Sequence, residues 1–132
     1  MRALQRFGIT FMTIGITLGA AVGTAKADIL LEERGALAAG DAILEDGSWY
    51  DQYTFSADGG QQITISLMSQ DFDPYLILLD PQGRRISEND DISLEDRNSQ
   101  LVIVLPNTGT YTVVANSYES GKDGAYEIKI EK

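Results

Sequence analysis

Apolar positions along most of the chain follow a period of two. Ile63, Ile65 and Leu67 alternate with Thr64 and Ser66, and Tyr126, Ile128 and Ile130 alternate with Glu127, Lys129 and Glu131. That period places one row of side chains on each face of an extended segment, so both stretches predict strands with one buried face. Tyr53 and Phe55 start the same pattern. Residues 74–79 are apolar on both faces, which predicts a central strand covered on each side, and residues 101–105 are another nearly continuous apolar strand. Residues 110–116 add a strand rich in Thr and Val. Weaker strands fall at residues 38–44 and 85–87. Between them lie Asp58-Gly59-Gly60, read as a hairpin, and the turns Asp80-Pro81-Gln82-Gly83 and Pro106-Asn107-Thr108-Gly109. Residues 28–38 form a lead-in, and residues 93–98 have room for one helical turn. About eight strands without a sustained helical period predict an all-β antiparallel sandwich, because a single open sheet leaves an apolar face in water.

The first 27 residues follow a different rule. Arg2 and Arg6 precede an uncharged run from residue 7 to 23, and Ala25-Lys26-Ala27 is a small-x-small cleavage pattern. Basic, apolar and small-residue regions in that order read as an export signal. The apolar run has 17 residues and is rich in Gly and Thr, short for a stable span, so no membrane anchor is expected after cleavage. No Cys follows the run to carry a lipid. The expected division is residues 1–27 as signal peptide and residues 28–132 as one β domain, secreted or periplasmic.

Charge and composition narrow the chemistry. The chain holds 10 basic and 20 acidic residues, no His and no Cys. Three of the basic residues lie before residue 28, leaving a net charge of about −13 on residues 28–132. Such a surface repels nucleic acid and anionic lipid. It suits divalent cations, a basic partner or solubility. The absence of His removes His-based triads and His-containing zinc sites. No GxSxG, P-loop or dinucleotide fingerprint occurs. No enzyme is expected.

Two acidic groups and a set of loop aromatics remain. Asp46 and Asp51 flank a Gly-Ser segment just before a strand, and a loop of hard oxygens is the type calcium takes. The same two residues also serve as a turn opener and an acceptor for loop amides. Asp71-Phe72-Asp73-Pro74 and Asn89-Asp90-Asp91 form a second candidate cation site at one end of the sandwich, with Asp73 and Asp90 as ligands, or else ordinary turn chemistry. Trp49, Tyr50 and Tyr118 lie in loops or at strand ends, where rings serve either as binding anchors or as loop packing. Tyr53, Phe55, Tyr75, Tyr111 and Tyr126 read as core.

The chain also resembles a known family. GALAAGDAILEDGSWYDQYTF at 35–55, QQITISLMSQDFDPYLILLDPQG at 61–83, END at 88–90 and LPNTGTYTVVANSYESGKDGAYEIKI at 105–130 together are similar to the bacterial pre-peptidase C-terminal domain. The resemblance implies a β-sandwich of jelly-roll type, exported and non-catalytic, that serves as an accessory or binding domain for an extracellular or envelope protein or polysaccharide. The alternatives are a structural cell-envelope protein and a partner or inhibitor of a separately encoded secreted protease. Similarity to collagenase collagen-binding domains implies calcium held by acids of the 46–51 loop and of the lead-in, where Glu32 and Glu33 stand. In those relatives tyrosines on the strand matching residues 110–118 contact collagen. Here Tyr118 is aromatic, and Asn116 stands where they carry Tyr.

Overall fold

The computed structural model describes residues 28–91 and 96–132. The expected signal peptide, and half of the expected turn at 93–98, lie outside the described residues. Nine strands form: β1 (Ile29–Leu37), β2 (Ala42–Ile43), β3 (Trp49–Ala57), β4 (Gln62–Met68), β5 (Pro74–Leu79), β6 (Arg85–Asn89), β7 (Ser99–Val104), β8 (Gly109–Ser117) and β9 (Gly124–Glu131). They build two antiparallel sheets, a four-stranded one in the order β1-β9-β4-β7 and a five-stranded one in the order β2-β3-β8-β5-β6. The all-β sandwich expected from the hydrophobic pattern is what the chain adopts, and no helix occurs among the described residues.

The inner faces carry the predicted rows. Ile63, Ile65 and Leu67 of β4, Leu76 and Leu78 of β5, Val113 of β8 and Ile128 and Ile130 of β9 are each fully buried in one core cluster. Phe55 stacks on Tyr111 at 5.7 Å, and the Tyr111 hydroxyl donates to the Asn107 carbonyl, tying the 106–108 turn to the core. This burial is the main source of stability.

Three expectations need correction. The lead-in is a full strand, β1, which pairs with β9 from Ile29 to Leu37. Its inward positions include Glu33 and Gly35, so the period of two was not written in apolar residues. The expected strand at 38–44 shrinks to Ala42–Ile43, because the Asp41 N–H bonds the Ala38 carbonyl and its carboxylate accepts from the Ala38 N–H, turning the chain at 38–41. Finally, Asp58-Gly59-Gly60 is not a hairpin. β3 lies in one sheet and β4 in the other. The Gly59 N–H donates to Thr108 Oγ1 at 2.9 Å, and a Cβ at Gly59 would meet the Asn107 backbone at 3.0 Å. The turn therefore stacks on the β7–β8 crossing instead of folding β3 back on β4.

Removing buried apolar volume tests this assignment. Ile128→Ala is expected to lower unfolding free energy by about 3 kcal/mol, and Val102→Ala, on an exposed edge position, by less than about 0.5 kcal/mol. Urea titration of both variants reads the difference; equal effects would refute the placement of β7 and β9.

Candidate functional site

Asp51 lies inside the sandwich. It is fully buried on β3, where the alternation that points Tyr53 and Phe55 inward points it inward too. The Tyr126 hydroxyl of β9, in the opposite sheet, donates to Asp51 Oδ2 at 2.5 Å. Tyr53 completes the relay, its hydroxyl 2.6 Å from that of Tyr126. Because Tyr126 gives its proton to Asp51, Tyr53 is the donor in that second bond. Burial first, then the neighbouring Tyr53 and Asp51, push the Tyr126 phenol far above its ordinary range, so it stays a donor. Gly35 on β1 roofs the relay: a Cβ there would lie 2.6 Å from the Tyr126 hydroxyl oxygen.

Asp46 faces elsewhere. It is exposed, and its Oδ1 accepts from the Ser48 N–H at 2.9 Å and from the Ser48 hydroxyl at 2.5 Å. Those bonds, the hydroxyl foremost, hold its carboxyl below the usual range. Ser48 in turn receives the Asn116 amide at 3.0 Å, and the same amide reaches the Trp49 carbonyl at 2.7 Å. Asn116 opposes Tyr50 in register, so this chain runs on the outer side of β3 while Asp51 points to the inner side. Glu32 and Glu33 are successive residues of β1 and project to opposite faces, Glu32 exposed and Glu33 half-buried. Among the described residues no three acidic side chains gather as a metal-ligating group. The acids expected to share calcium are thus divided: Asp46 and Asp51 accept from protein donors on different sides of β3, and Glu32 and Glu33 project to opposite faces of β1. They do not fit one calcium site.

The second acidic group is assembled differently from the sequence expectation. β5 and β6 form a hairpin in which Leu76 opposes Asn89. Extending that register sets Asp90 beside Tyr75 and brings Asp91 toward Asp73. Asp73 pairs with Arg97 at 3.2 Å, and its carbonyl accepts the Tyr118 N–H at 2.8 Å. Asn89 is spent on the fold: its amide donates to the Gln100 carbonyl at 2.7 Å, and its carbonyl accepts the Ser99 hydroxyl at 2.5 Å. The group that forms is Asp73, Asp91 and Arg97. Hairpin register is the signal that locates Asp91; Arg97 arrives from the segment just before β7 and has no signal in the local sequence.

The aromatics separate into two classes. Trp49 is half-buried against the core. Tyr118 is 56% exposed and meets Tyr75 edge-on, ring centres 6.0 Å apart. Tyr75, expected in the core, sits on the outer face of the five-stranded sheet, because it alternates with the buried Leu76 and Leu78. Burial first, and then a hydrogen bond to Glu88, raise its phenol above the ordinary value. Tyr50 stands across the sheet, separated from Tyr75 by Asn116 in the shared register. Asn116 itself is buried and does not face a ligand. Tyr50, Tyr75 and Tyr118 therefore lie on one side of the sandwich. At the β1–β9 end a separate depression of about 490 Å³ is lined by Arg34, Met68, Asp71 and Tyr126. Its charges are occupied: Arg34 pairs with Glu127 at 3.2 Å, and Asp71 accepts the Ala125 N–H at 2.9 Å.

Residues 49–117, more than half of the chain, match the sequence family described as the bacterial pre-peptidase C-terminal domain. No curated protein matches the sequence significantly. Among solved structures, PliG of Aeromonas hydrophila, a periplasmic lysozyme inhibitor of g-type lysozyme, superposes with a TM-score of 0.59 at 18% identity, covering 83% of this chain and 91% of that one. The pre-peptidase C-terminal domain of a Bacillus anthracis collagenase gives 0.55 at 20% identity, over 78% and 90%. Salmonella Typhimurium PliG gives 0.51 at 20% identity, over 76% and 87%. At these identities the likeness is one of fold.

Tyr126→Phe leaves Asp51 without its donor from the other sheet and is expected to cost about 2 kcal/mol. Gly35→Ala crowds the same hydroxyl and is expected to cost about 1–3 kcal/mol. Because both act on one group of atoms, the double variant loses less than the sum in urea unfolding. A calcium chelator is expected to leave the thermal midpoint unchanged; a fall in midpoint that added calcium restores would contradict the divided donor arrangement.

Proposed function

Because the chain belongs to the bacterial pre-peptidase C-terminal domain family, we propose that it is an exported, non-catalytic binding module for a protein partner outside the cytoplasm. The observation that carries this reading is the aromatic side of the five-stranded sheet, where Tyr118 stands exposed on Tyr75 with Tyr50 beyond Asn116. Rigid rings on a sheet give large contact area at small entropic cost. Carboxylates border them: Glu88 is hydrogen-bonded to Tyr75, Asp90 lies beside it and Glu119 follows Tyr118. With a net charge of −10 on the whole chain, the complementary partner surface is basic, and long-range attraction speeds its docking. Residues 1–27 act in this reading as the export signal, and the protein works in the periplasm or beyond the cell. The orders β1-β9-β4-β7 and β3-β8-β5-β6 support a jelly-roll description of the sandwich.

A second reading makes the binding inhibitory. The acidic surface favours capture of a basic secreted enzyme, a lysozyme or a protease, and two of the fold neighbours are described as periplasmic inhibitors of g-type lysozyme.

Calorimetric titration separates these ideas. The purified protein is titrated with a basic g-type lysozyme, a triple-helical collagen peptide and a peptidoglycan fragment. Binding to a protein probe is expected to weaken at least tenfold between about 20 and 150 mM salt. Tyr118→Ala is expected to weaken it a further tenfold, about 1.4 kcal/mol. Lysozyme activity assayed in parallel reports inhibition. Binding to the glycan alone, or to a protein probe without any effect of Tyr118→Ala or Tyr50→Ala, would overturn the aromatic-face reading.

A further inference from the structure

The four-stranded sheet ends in β7, and among the described residues no strand lies beyond it. This edge differs from the other three. β2 has two residues, β6 carries Arg85 and Glu88, and β1 carries Glu32, Glu33 and Arg34. β7 has six residues, Ser99 to Val104, and no charge. An open edge is a template for another strand, and charge or brevity usually blunts it. β7 is blunted by neither.

Register says which backbone groups are open. The Leu105 N–H donates to the Gln61 carbonyl at 2.9 Å, one step beyond the Gln62–Val104 pair. Hydrogen-bonded pairs alternate along an antiparallel ladder. Leu101 and Ile103 therefore bond to β4, while Gln100, Val102 and Val104 aim their N–H and C=O groups away from it. The Asn89 amide, which reaches the Gln100 carbonyl at 2.7 Å, agrees with that phase and covers one end of the edge. Pro106, with no N–H, closes the other end. Between them stand Val102 and Val104, 57% and 58% exposed.

Charge decides the occupant. The outward side chains beside these valines on β4 are Gln62, Thr64 and Ser66, none of them charged. The nearest charges of this face, Glu131 and Lys129, stand one strand further on, on β9. A basic partner is drawn to the acidic surfaces, and a strip without charge offers it nothing. A copy of the same chain, with its net charge of −10, approaches best where charge is absent.

We propose that β7 pairs with β7 of a second copy, antiparallel about a two-fold axis at Ile103, joining two four-stranded sheets into one. In that register Val102 faces Val104 of the partner subunit and Val104 faces Val102 of the partner subunit, each pair exchanging both backbone hydrogen bonds. The valines meet on the outer face, and the half-buried Ile103 meets its symmetry mate on the inner one. The charges of the two β9 strands then stand about 24 Å apart at ordinary strand spacing, well beyond the Debye length of about 8 Å. One strand buries less area than a permanent dimer needs, so the association is reversible. The dimer leaves the aromatic side open, since that side belongs to the other sheet, and so stands apart from the partner reading.

Sedimentation equilibrium of the purified protein tests the pairing. The mean mass is expected to rise from monomer toward dimer between about 5 and 500 μM. Association is expected to tighten about two- to threefold from about 20 to 150 mM salt, because salt screens the repulsion between like-charged copies; a basic partner responds in the opposite sense. Val104→Pro removes an outward N–H and no bond to β4, and Val102→Lys sets a charge in the strip. Each is expected to weaken dimerisation roughly tenfold and to keep the urea midpoint measured at about 5 μM. In wild type, amide exchange at Val102 and Val104 is expected to slow about threefold between those protein concentrations, with Ile43 of the β2 edge unchanged. The exchange data decide on wild type alone should a variant fail to fold. A monomer throughout the range would overturn the proposal. So would a dimer that either folded variant leaves intact, a dimer that Tyr118→Ala dissociates, or assembly beyond the dimer, since the pairing consumes the open edge.

Discussion

The sandwich is organised around a buried carboxylate. Asp51 belongs to one sheet and its donor, Tyr126, to the other. A carboxylate out of water is costly unless hydrogen bonds replace its hydration. The sheets therefore have to meet with Tyr126 over Asp51, and Tyr53 has to reach Tyr126 from the same strand as Asp51. Apolar side chains tolerate small slides against one another; this relay does not. It fixes which residues of β3 and β9 face each other, and through Gly35 it fixes where β1 passes above them. Non-specific burial supplies most of the stability, and the relay selects one arrangement from those that burial alone permits.

That division explains what the sequence made legible. Strands β4 and β9 announce themselves by an apolar period of two, β5 and β7 by nearly continuous apolar runs, and β8 by its Thr and Val. β1 does not, because its inward row contains Gly35, small for the sake of Tyr126, and Glu33. The reason for the glycine lies far away in the chain, on β9. The turn at Asp58-Gly59-Gly60 shows a related limit. Its composition states that the chain reverses but not whether it stays in the same sheet, and the decision comes from Thr108 and Asn107 beneath it. At the candidate site, the turn role of Asp46 was readable from its Gly-Ser neighbours. The burial of Asp51 and the meeting of Asp73 with Asp91 and Arg97 required the register of whole strands.

The outer surfaces are unequal. The four-stranded sheet presents alternating charges, among them Arg34, Glu127, Lys129 and Glu131; the Arg34–Glu127 pair is exposed and contributes little, and Lys129 and Glu131 are half-buried with their charges 4.0 Å apart. The five-stranded sheet carries its tyrosines on the other side, with small or buried residues between them: Val114 and Ile77 are nearly inaccessible although they point outward. Three of the four sheet edges are short or charged, as in β2, β6 and β1, a feature that discourages strand-to-strand aggregation.

The crossings between sheets have a kinetic consequence. Only β2–β3 and β5–β6 are neighbours both in sequence and in a sheet; every other connection carries the chain across the core. β1 finds its partner in β9, at the far end of the domain. Contacts so distant in sequence exact loop-closure entropy before they return any burial, which slows folding. In the four-stranded sheet β1 has no partner until β9 arrives, and β9 must enter between β1 and the β4–β7 pair. The four-stranded sheet is thus complete only when the last strand is present, and the two local hairpins are the natural first structures to appear.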